Sequence, residues 1–518
     1  MSYIFKSPYS RYFAAGLFIF LAASFFTIGY HHPDEHFQVL EFANYKLGNS
    51  PVSDLPWEFN SRVRPTLQPF IAYLAIKCLT FVGIKNPFTY AFVLRALTGL
   101  FAWYIISKMS LLLLNHFTTE TGKKSFIIMN FFLWYMPYIS VRYSSESLSG
   151  LTFLCALYCI LIFYRYSEEK KENFLLTANP SKNFEYLPAE SKYNTGFLIC
   201  SGIFLGFSIF FRFQISFAIL GLGFWLVFVK KNQWKNLLII SSFAILSMAA
   251  CIYLDYWFYG TFAFTPYNYY KFTVLSGRTQ VGDPWWYYFA LFILNAIPPI
   301  SIFLLIFFVI GIYKYPKNIF AISFLFFLII HMMFGNKEMR YMFPVSFSFI
   351  YLTALGMDYI YDRYKLSKVY STIFTFMIIL NFIILIPRSI APASEKAPFY
   401  NFLNNYSIHK KTTVICLGKT LYEGAGIKIN FYKSPNIDIV VLNKNMKIND
   451  YMNQHDLNEV LLFYDKAVFN DEHEGFETEK IYSIFPEWVL KYNINDWEKR
   501  TAIWSIYKIT RQELKNKN

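Results

Sequence analysis

YFAAGLFIFLAASFFTIGY at residues 12–30 runs directly into HHPDEHFQ at residues 31–38. The first part is an uncharged apolar run as long as an α-helix that crosses a bilayer, which takes about 20 residues. It follows Lys6 and Arg11, exceeds a signal-peptide core in length and precedes no small-residue cleavage site. We therefore interpret it as a retained transmembrane helix with a cytoplasmic N-terminus, which places the acidic stretch on the outer side.

Further apolar runs of comparable length recur along the chain. Together with the first, they lie at 12–30, 89–114, 124–141, 147–165, 197–211, 214–229, 236–258, 285–312, 318–334, 341–359 and 369–387. We do not count the run 66–83 as a span, because Lys77 at its middle is costly in hydrocarbon, and we predict a re-entrant or interfacial helix there. The sequence thus predicts an all-α polytopic membrane protein with about 11 transmembrane helices.

The composition of the chain supports this class. Hydrophobic residues make up 55% of the 518 residues and charged residues only 16%, whereas soluble domains have roughly 25% charged residues. The net charge of +15 is concentrated in short tethers between apolar runs, such as 123–124, 230–231 and 314–317. This is the positive-inside pattern of membrane proteins and not a nucleic-acid-binding face. The six cysteines fall mostly in apolar runs and indicate no disulfide framework.

The character of the sequence changes after residue 388. Short β-like runs appear at 413–417, 437–442 and 460–464, separated by Gly, Pro and Asn, and a Trp-containing segment follows at 488–507. We predict a transmembrane domain over residues 1–388 and a small α/β extracytoplasmic domain over residues 389–518. With eleven crossings, the outer face receives the first loop, 31–68, and the segments 142–146, 259–284 and 331–340.

The acidic motif after the first helix is the strongest candidate for chemistry. Asp34 and Glu35 are adjacent carboxylates, flanked by His32 and His36, and such a group suits a general base with tuned neighbours. The alternative is a solvated helix start, since Pro33 and two acids are typical of a first helical turn. A metal site is a third interpretation, although the spacing matches no standard zinc motif.

Two further groups of polar residues lie on the predicted outer side. Trp57, Glu58 and Arg64 combine an aromatic ring and a guanidinium, which suit a sugar and a phosphate, but they are equally typical of interfacial anchors. Arg142 and Glu146 retain their charges at the end of a predicted span, where they either snorkel to the interface or border a cavity.

The loop 255–286 is rich in aromatic residues and also contains Gly, Pro and Asn. An aromatic belt at the membrane interface explains Trp and Tyr but not the other residues, so the pattern slightly favours a binding surface. The polar or aromatic candidates in this loop are Asn268, Arg278, Asp283, Trp285 and Trp286.

Cations also occur on the outer side between two later spans. Lys337 and Arg340 lie there against the positive-inside bias, which indicates that an anion such as a phosphate compensates them. Glu338 between them offers a local alternative, because it can neutralise one of the two cations.

Taken in order, these motifs resemble a known family. HPDEHFQ is followed by the Trp57–Arg64 group, by Asp255 and Asn268, by DPWWY at 283–287 and by KEMRYMFP at 337–344. The order resembles the Alg9-like, GT-C-type mannosyltransferases (glycosyltransferase family 22), which add mannose from dolichyl-phosphate-mannose to the glycosylphosphatidylinositol (GPI) core and to lipid-linked oligosaccharides. The likeness is greatest to the branch that adds the third GPI mannose. Asn336 stands where the family commonly has His. This departure bears on the identity of the acceptor more than on the chemistry.

The resemblance implies a GT-C fold and an inverting single displacement. Asp34 would be the base that takes the acceptor proton, and Glu35 would orient the acceptor or share this role. The donor phosphate would be held by Lys337, Arg340, Arg64 and Arg278. The substrate-binding set would be His32, His36, Trp57, Glu58, Arg142, Glu146, Asn268, Asp283, Trp285, Trp286 and Glu338. No metal is needed if fixed cations neutralise the leaving phosphate, but the nearby histidines leave a divalent metal open.

The implied partners are a polyprenyl- or dolichyl-phosphate sugar, a lipid-linked glycan or GPI-type acceptor and the lipid bilayer, with no nucleic acid. Two other functions stay open: a GT-C transferase that moves a different sugar, and a transporter of a lipid-linked glycan. The location would be the endoplasmic reticulum membrane in a eukaryote or the inner membrane in a bacterium, with the C-terminal domain luminal or periplasmic.

Overall fold

The computed structural model describes residues 2–169, 194–231, 233–276, 282–364, 368–417, 420–424, 426–442, 447–466 and 476–511. These residues form mostly α-helix, together with a five-stranded sheet and a two-stranded ribbon near the C-terminal end. The α-helices are Ser2–Lys6, Ser10–Phe26, Pro33–Glu35, Glu41–Lys46, Trp57–Asn60, Leu67–Phe81, Pro87–Leu113, Glu120–Phe132, Met136–Val141, Ser145–Glu169, Asn194–Phe211, Ser216–Phe224, Trp234–Tyr259, Thr265–Tyr270, Tyr287–Asn295, Ile300–Lys314, Ile319–Met332, Ser346–Tyr364, Lys368–Ile390, Lys396–Tyr406, Ile448–Gln454, Glu487–Leu490 and Trp497–Arg500.

Several of these helices are long and apolar enough to cross a membrane. Within the described ranges, five qualify by length and composition: Pro87–His116, Ser145–Arg165, Trp234–Tyr259, Met339–Tyr364 and Thr372–Ile390. The pair Ile300–Lys314 and Ile319–Met332, bent by 117°, makes a sixth if it is counted as one span. Ser10–Phe26, Leu67–Phe81, Thr195–Phe211 and Phe213–Val229 are shorter apolar helices. The helical membrane class is confirmed, and the number of eleven spans stays a prediction.

Two predicted spans are interrupted, and proline accounts for both breaks. The run 285–312 forms the helices Tyr287–Asn295 and Ile300–Lys314, with Pro298 and Pro299 between them. The run 124–141 likewise divides, and Pro137 lies in the first turn of its second helix. Proline lacks the backbone N–H and its ring clashes with the preceding turn, so a helix ends before it or begins with it. The continuous helices predicted here were therefore wrong.

The described chain contains two compact units. Unit 1 comprises Met1–Phe26, Glu58–Ile71 and Val93–Ile390. Unit 2 comprises Thr27–Trp57, Ala72–Phe92 and Ala391–Asn518. The predicted division at residue 388 stays a prediction, but unit 2 combines the C-terminal region with the segment that carries the acidic motif.

Close helix packing in unit 1 depends on glycine. A Cβ added at Gly150, in the helix Ser145–Glu169, would lie 2.7 Å from the backbone of Pro344. Because glycine has no Cβ, the 3₁₀ segment Met339–Val345 packs directly against the helix that carries Glu146. This contact helps to position the residues of the 337–344 motif.

The sheet of unit 2 consists of β1 (Thr412–Leu417), β4 (Ile437–Leu442), β5 (Glu459–Tyr464), β6 (Phe476–Ser483) and β7 (Ser505–Arg511) in the order β4-β1-β5-β7-β6. β1 pairs in parallel with β4 and β5, whereas β7 is antiparallel to β5 and β6. The short strands β2 (Glu423–Gly424) and β3 (Ile427–Lys428) form the separate ribbon.

The core on one side of this sheet contains Ile415, Leu442, Val460, Leu462 and Ile509, with Ile448 and Met452 from the helix Ile448–Gln454. The predicted strands at 413–417, 437–442 and 460–464 and a small C-terminal sheet are confirmed, whereas β6 and β7 were not predicted.

Candidate functional site

The acidic motif begins a short helix in unit 2. His32 caps the helix Pro33–Glu35 by accepting a hydrogen bond at Nδ1 from the Asp34 N–H over 3.2 Å. Asp34 Oδ1 accepts a hydrogen bond from Gln38 Nε2 over 2.9 Å, and its side chain is 24% exposed. Glu35 Oε2 accepts from the backbone N–H four residues earlier, over 3.1 Å. The carboxylate of Asp34 is thus oriented by a neighbour and accessible, as a general base must be.

A π-helix, His36–Leu40, follows and leads to a buried contact between a histidine and a carboxylate. His36 Nε2 lies 2.8 Å from Glu41 Oε1, and both side chains are almost completely buried. The same oxygen accepts hydrogen bonds from the backbone N–H groups of Asn430, over 2.8 Å, and Phe431, over 2.9 Å. The contact suits the Nε2–H tautomer of His36, because a carboxylate oxygen accepts hydrogen bonds. We expected His36 to contact substrate, but its imidazole is enclosed within unit 2.

Unit 1 contains a buried cluster of charges around Glu146. Glu146 Oε1 accepts a hydrogen bond from Arg212 Nη1 over 2.8 Å and another from Arg340 Nη1 over 3.1 Å. Arg340 Nε also donates to Glu338 Oε2 over 2.6 Å. The guanidinium carbons of Arg212 and Arg340 lie 4.9 and 5.3 Å, respectively, from the centroid of the Tyr341 ring. Glu338 therefore provides the local neutralisation that the sequence left open, and the two planar guanidinium groups are of the type that binds phosphate.

Lys337 joins this region to the preceding loop. Its Nζ donates to the carbonyl oxygen of Asp283 over 2.9 Å and to that of Phe334, while its backbone N–H donates to Asp283 Oδ2 over 3.2 Å. Burial lowers the pKa of the Lys337 ammonium, and the carboxylate of Asp283 opposes this shift. In this arrangement Lys337 fixes the loop at Asp283, and its contact with a donor phosphate stays a prediction.

Asp255 fastens two connecting segments of unit 1 to each other. Its Oδ1 accepts from the backbone N–H and hydroxyl of Thr66, over 2.8 and 2.7 Å, and its Oδ2 accepts from the Thr265 hydroxyl over 2.6 Å. The Tyr259 hydroxyl donates to the Arg64 carbonyl oxygen over 2.7 Å. These bonds hold the backbone that presents the Arg64 side chain.

Other predicted site residues have different surroundings. Asn268 Nδ2 donates to the Arg62 carbonyl oxygen over 3.1 Å, so it supports the same segment as Arg64. Arg142 is buried, with its guanidinium carbon 5.5 Å from the centroid of the Tyr138 ring. Glu58 is partly buried, and Arg278 lies outside the described residues. Three aromatic candidates are exposed: Trp57, Trp285 and Trp286.

Sequence reasoning missed two residues of these clusters. Arg212 separates the apolar runs 197–211 and 214–229 on the predicted outer side, so the charge bias that singled out Lys337 and Arg340 applied to it as well. Glu41 stands in the apolar context QVLEFA at 38–43, and no local pattern distinguishes its buried carboxylate from an ordinary helix-start acid.

The described residues do not suggest a metal centre. In that part of the chain, no group of three or more His, Cys, Asp or Glu side chains is arranged to hold a metal ion. Metal-independent chemistry stays a prediction.

The sequence matches a family of known proteins. Residues 12–424 match the model of the Alg9-like mannosyltransferase family. "GPI mannosyltransferase 3" of Candida albicans is 26% identical over 66% of this chain and 63% of its own length. "GPI alpha-1,2-mannosyltransferase 3" of Bos taurus is 24% identical over 60% of this chain and 52% of its own length. The chain therefore spans less than two thirds of each of these relatives.

A solved structure shares the fold. The crystal structure of ArnT from Cupriavidus metallidurans bound to undecaprenyl phosphate has a TM-score of 0.53, with 97% of this chain and 98% of that chain covered. The sequences are only 8% identical, so this likeness concerns the fold alone. It confirms the predicted architecture of a helical membrane protein with a small C-terminal sheet.

Proposed function

Because the chain belongs to the Alg9-like mannosyltransferase family, we propose that it transfers mannose from dolichyl- or polyprenyl-phosphate-mannose to a lipid-linked glycan or GPI-type acceptor. The observation that carries this proposal is the family match over residues 12–424, which includes the acidic motif and the charge cluster. The names of the relatives support mannose and a GPI acceptor, and the undecaprenyl phosphate bound to ArnT supports a polyprenyl-phosphate donor.

The proposed reaction is one displacement with inversion at the sugar C1. The acceptor oxygen forms a bond to C1 while the bond between C1 and the phosphate oxygen breaks. The hydroxyl proton passes to Asp34, and the polyprenyl phosphate leaves with the bonding electrons. Asp34 suits this role because its carboxylate is partly exposed and held by Gln38. Glu35 orients the acceptor or shares the role of base.

The leaving phosphate gains negative charge as the reaction proceeds, so fixed N–H donors lower the barrier. We assign this role to Arg340 and also to Arg212, because the two guanidinium groups donate hydrogen bonds to the same carboxylate oxygen of Glu146. Lys337 and Arg64 assist in this proposal, as does Arg278, which lies outside the described residues.

We also propose the membrane arrangement that this chemistry needs. The N-terminus is cytoplasmic, eleven spans cross the bilayer, and the segment 66–83 does not. The acidic motif and the C-terminal region then lie on the luminal face of the endoplasmic reticulum in a eukaryote, or on the periplasmic face in a bacterium.

The test is a donor competition with the purified full-length protein in lipid nanodiscs. The acceptor is a GPI precursor with two mannoses, and polyprenyl-phosphate-linked mannose, glucose, arabinose and aminoarabinose are offered separately and as a mixture. We expect transfer of mannose, unchanged by EDTA. Transfer of another sugar would identify a related transferase, and movement of an intact glycan lipid across sealed vesicles without transfer would identify a transporter.

A further inference from the structure

Glu41 is a buried carboxylate that the proposed reaction does not use. It lies seven positions after Asp34 at the start of the helix Glu41–Lys46, and it is 1% exposed. Its Oε1 is shared by three donors, namely His36 Nε2 and the N–H groups of Asn430 and Phe431. Burying a carboxylate is costly unless such donors compensate it, so the arrangement calls for an explanation.

Two aromatic rings and the carboxylate of Glu41 restrain the imidazole of His36. It is stacked between the rings of Tyr30 and Tyr432, with centroid distances of 5.3 and 5.2 Å and interplanar angles of 30° and 13°. Its Nε2 is held by Glu41, whereas Nδ1 has no hydrogen-bond partner among the described residues. The ring is fully buried and therefore cannot act on substrate directly, but it restrains the backbone two residues after Asp34.

The π-helix that begins at His36 also orients the carboxylate of Asp34. Gln38, which donates to Asp34, belongs to the π-helix His36–Leu40, and that helix ends where the backbone N–H of Glu41 donates to the His36 carbonyl oxygen. A π-helix is rare and often marks a functional site. Glu41 thus contacts the first residue of the π-helix both through its side chain and through its backbone N–H.

Glu41 also attaches this segment to the C-terminal region of unit 2. A second carboxylate, Asp54, binds the same part of that region through the side chains of Lys428 and Asn430, each over 3.0 Å. Asp54 belongs to the separate 3₁₀ turn Val52–Asp54, and among the described residues it forms no hydrogen bond or ion pair with His36. The two acids therefore share an attachment but differ in their connection to Asp34.

We propose that Glu41 is a positioning residue that acts through His36 and the π-helix to place the carboxylate of Asp34 for proton transfer, with the backbone of Asn430 and Phe431 as its second support. This inference rests on the proposed function. It gives the backbone N–H groups of Asn430 and Phe431 a part in placing Asp34, because both bind the carboxylate of Glu41.

The test compares four variants in the nanodisc assay with polyprenyl-phosphate-mannose and the two-mannose GPI precursor. Glu41→Ala removes the acceptor of all three bonds, and Glu41→Gln keeps an oxygen at the same place without the charge. His36→Phe keeps the aromatic stack but removes the Nε2 donor. Asp54→Ala is the matched control, because it loosens the attachment at Lys428 and Asn430 without altering the His36 contact.

We expect Glu41→Ala and His36→Phe to lower kcat by about tenfold to 100-fold per folded molecule, since a displacement of about 1 Å has effects of this size. The KM for either substrate should change less than threefold. Glu41→Gln should restore most of kcat, and Asp54→Ala should stay within twofold of the wild type.

Other results overturn the inference. If His36→Phe and both Glu41 variants retain the wild-type kcat, or if Asp54→Ala loses as much as they do, Glu41 is a structural tie only. Should Glu41→Ala fail to fold, the comparison of Glu41→Gln, His36→Phe and Asp54→Ala still decides. A wild type that transfers no mannose contradicts the proposed function, whereas an active wild type with unchanged variants contradicts this inference alone.

Discussion

At the scale of single residues, Asp34 and Glu35 are adjacent but differently held. Asp34 accepts a hydrogen bond from the side-chain amide of Gln38, whereas Glu35 accepts one from the backbone N–H of residue 31. The bond from Gln38 therefore holds Oδ1 of Asp34, whereas the bond from residue 31 holds Oε2 of Glu35. The resemblance to the family implies proton transfer by Asp34 with Glu35 in support, and the bond from Gln38 and the partial exposure of Asp34 suit that proposal.

Replacing Asp34 with Asn should lower kcat by about 100-fold or more, because general-base catalysis contributes roughly 10²–10⁴-fold. The amide oxygen can still accept from Gln38, so we expect thermal stability to stay close to that of the wild type. Mannose transfer and thermal unfolding of the purified variant measure both quantities. Glu35→Gln, the comparison variant, should lose less than tenfold, and full turnover in Asp34→Asn would show that the carboxylate is not the base.

Arg340 is the residue with which to probe donor binding. Arg340→Lys keeps the charge but loses the guanidinium fork, so we expect the KM for polyprenyl-phosphate-mannose to rise about tenfold, in line with a lost charged hydrogen bond. The acceptor KM should change less than twofold. Initial rates at varied donor and acceptor concentrations measure this. Arg363→Lys, at an exposed arginine of unit 1, serves as the control, and equal effects on both substrates would contradict a role in phosphate binding.

At the scale of secondary-structure elements, the helix Ser145–Glu169 and the 3₁₀ segment Met339–Val345 position the charge cluster. Their backbones approach closely at Gly150 and Pro344, and the partners Glu146 and Arg340 lie next to this contact in sequence. The distance between the two elements therefore controls the ionic contact that they share.

Gly150→Ala should separate these elements, because the added Cβ would lie 2.7 Å from the Pro344 backbone. We expect a lower midpoint of thermal unfolding and a raised donor KM, since overpacking typically costs about 1–3 kcal/mol. Gly223→Ala is the matched control, because its Cβ meets nothing within 4 Å. If both variants unfold at the wild-type temperature, the close packing at Gly150 does not contribute to the stability of the protein.

Strand β5 of unit 2 carries an acid-sensitive group. Burial opposes ionisation of Glu459, but hydrogen bonds from Lys410, Tyr406 and Lys508 outweigh it and lower the pKa of the carboxyl to about 2. Since the ordinary pKa of a glutamate is about 4.5, the stabilisation is present above that pH and is lost as the pH falls towards 2.

Glu459→Gln should therefore lower the unfolding temperature most at pH 6–7, and the difference from the wild type should shrink below about pH 5. Tryptophan fluorescence during thermal unfolding of the full-length protein follows this, because Trp504 is buried in unit 2. Glu477→Gln on the edge strand β6 is the control. A difference that is constant between pH 3 and 7 would contradict the assignment.

The same elements explain which features the sequence could predict. Apolar runs and the β-like runs at 413–417, 437–442 and 460–464 predicted helices and strands, because burial imposes a visible pattern. The helix breaks at Pro137 and Pro298 were visible in the sequence as prolines, but the length of the apolar runs led us to predict continuous helices. Strand β6, FETEKIYS, lies at the sheet edge with exposed acids, so it lacks the apolar signal. The pairing of Glu41 with Asn430 joins distant segments, and no local pattern indicates such a contact.

At the scale of the whole molecule, the orientation in the membrane determines which face carries the chemistry. The only sequence that can accept an N-linked glycan in the predicted outer region is Asn405-Tyr406-Ser407. Asn405 is exposed at the end of the helix Lys396–Tyr406 in unit 2. A glycan at this position would report on the side of the membrane that unit 2 occupies.

Expression in a eukaryotic cell should therefore give a chain that carries one glycan at Asn405. Endoglycosidase treatment should increase its electrophoretic mobility, and Asn405→Gln should abolish the difference. Protease treatment of sealed microsomes is the companion measurement, and it should leave a C-terminal tag intact. An unglycosylated chain whose tag is digested would place the C-terminal region in the cytosol.

Unit 2 joins Thr27–Trp57 to Ala391–Asn518, for example where the Ala393 N–H donates to the Ile28 carbonyl oxygen over 2.8 Å. The ribosome makes the first of these segments long before the second. The newly made acidic loop is consequently without its packing partner during most of translation. A chain that stopped before residue 391 would therefore lack the segment against which the acidic loop packs, even where every predicted transmembrane helix has already been synthesised.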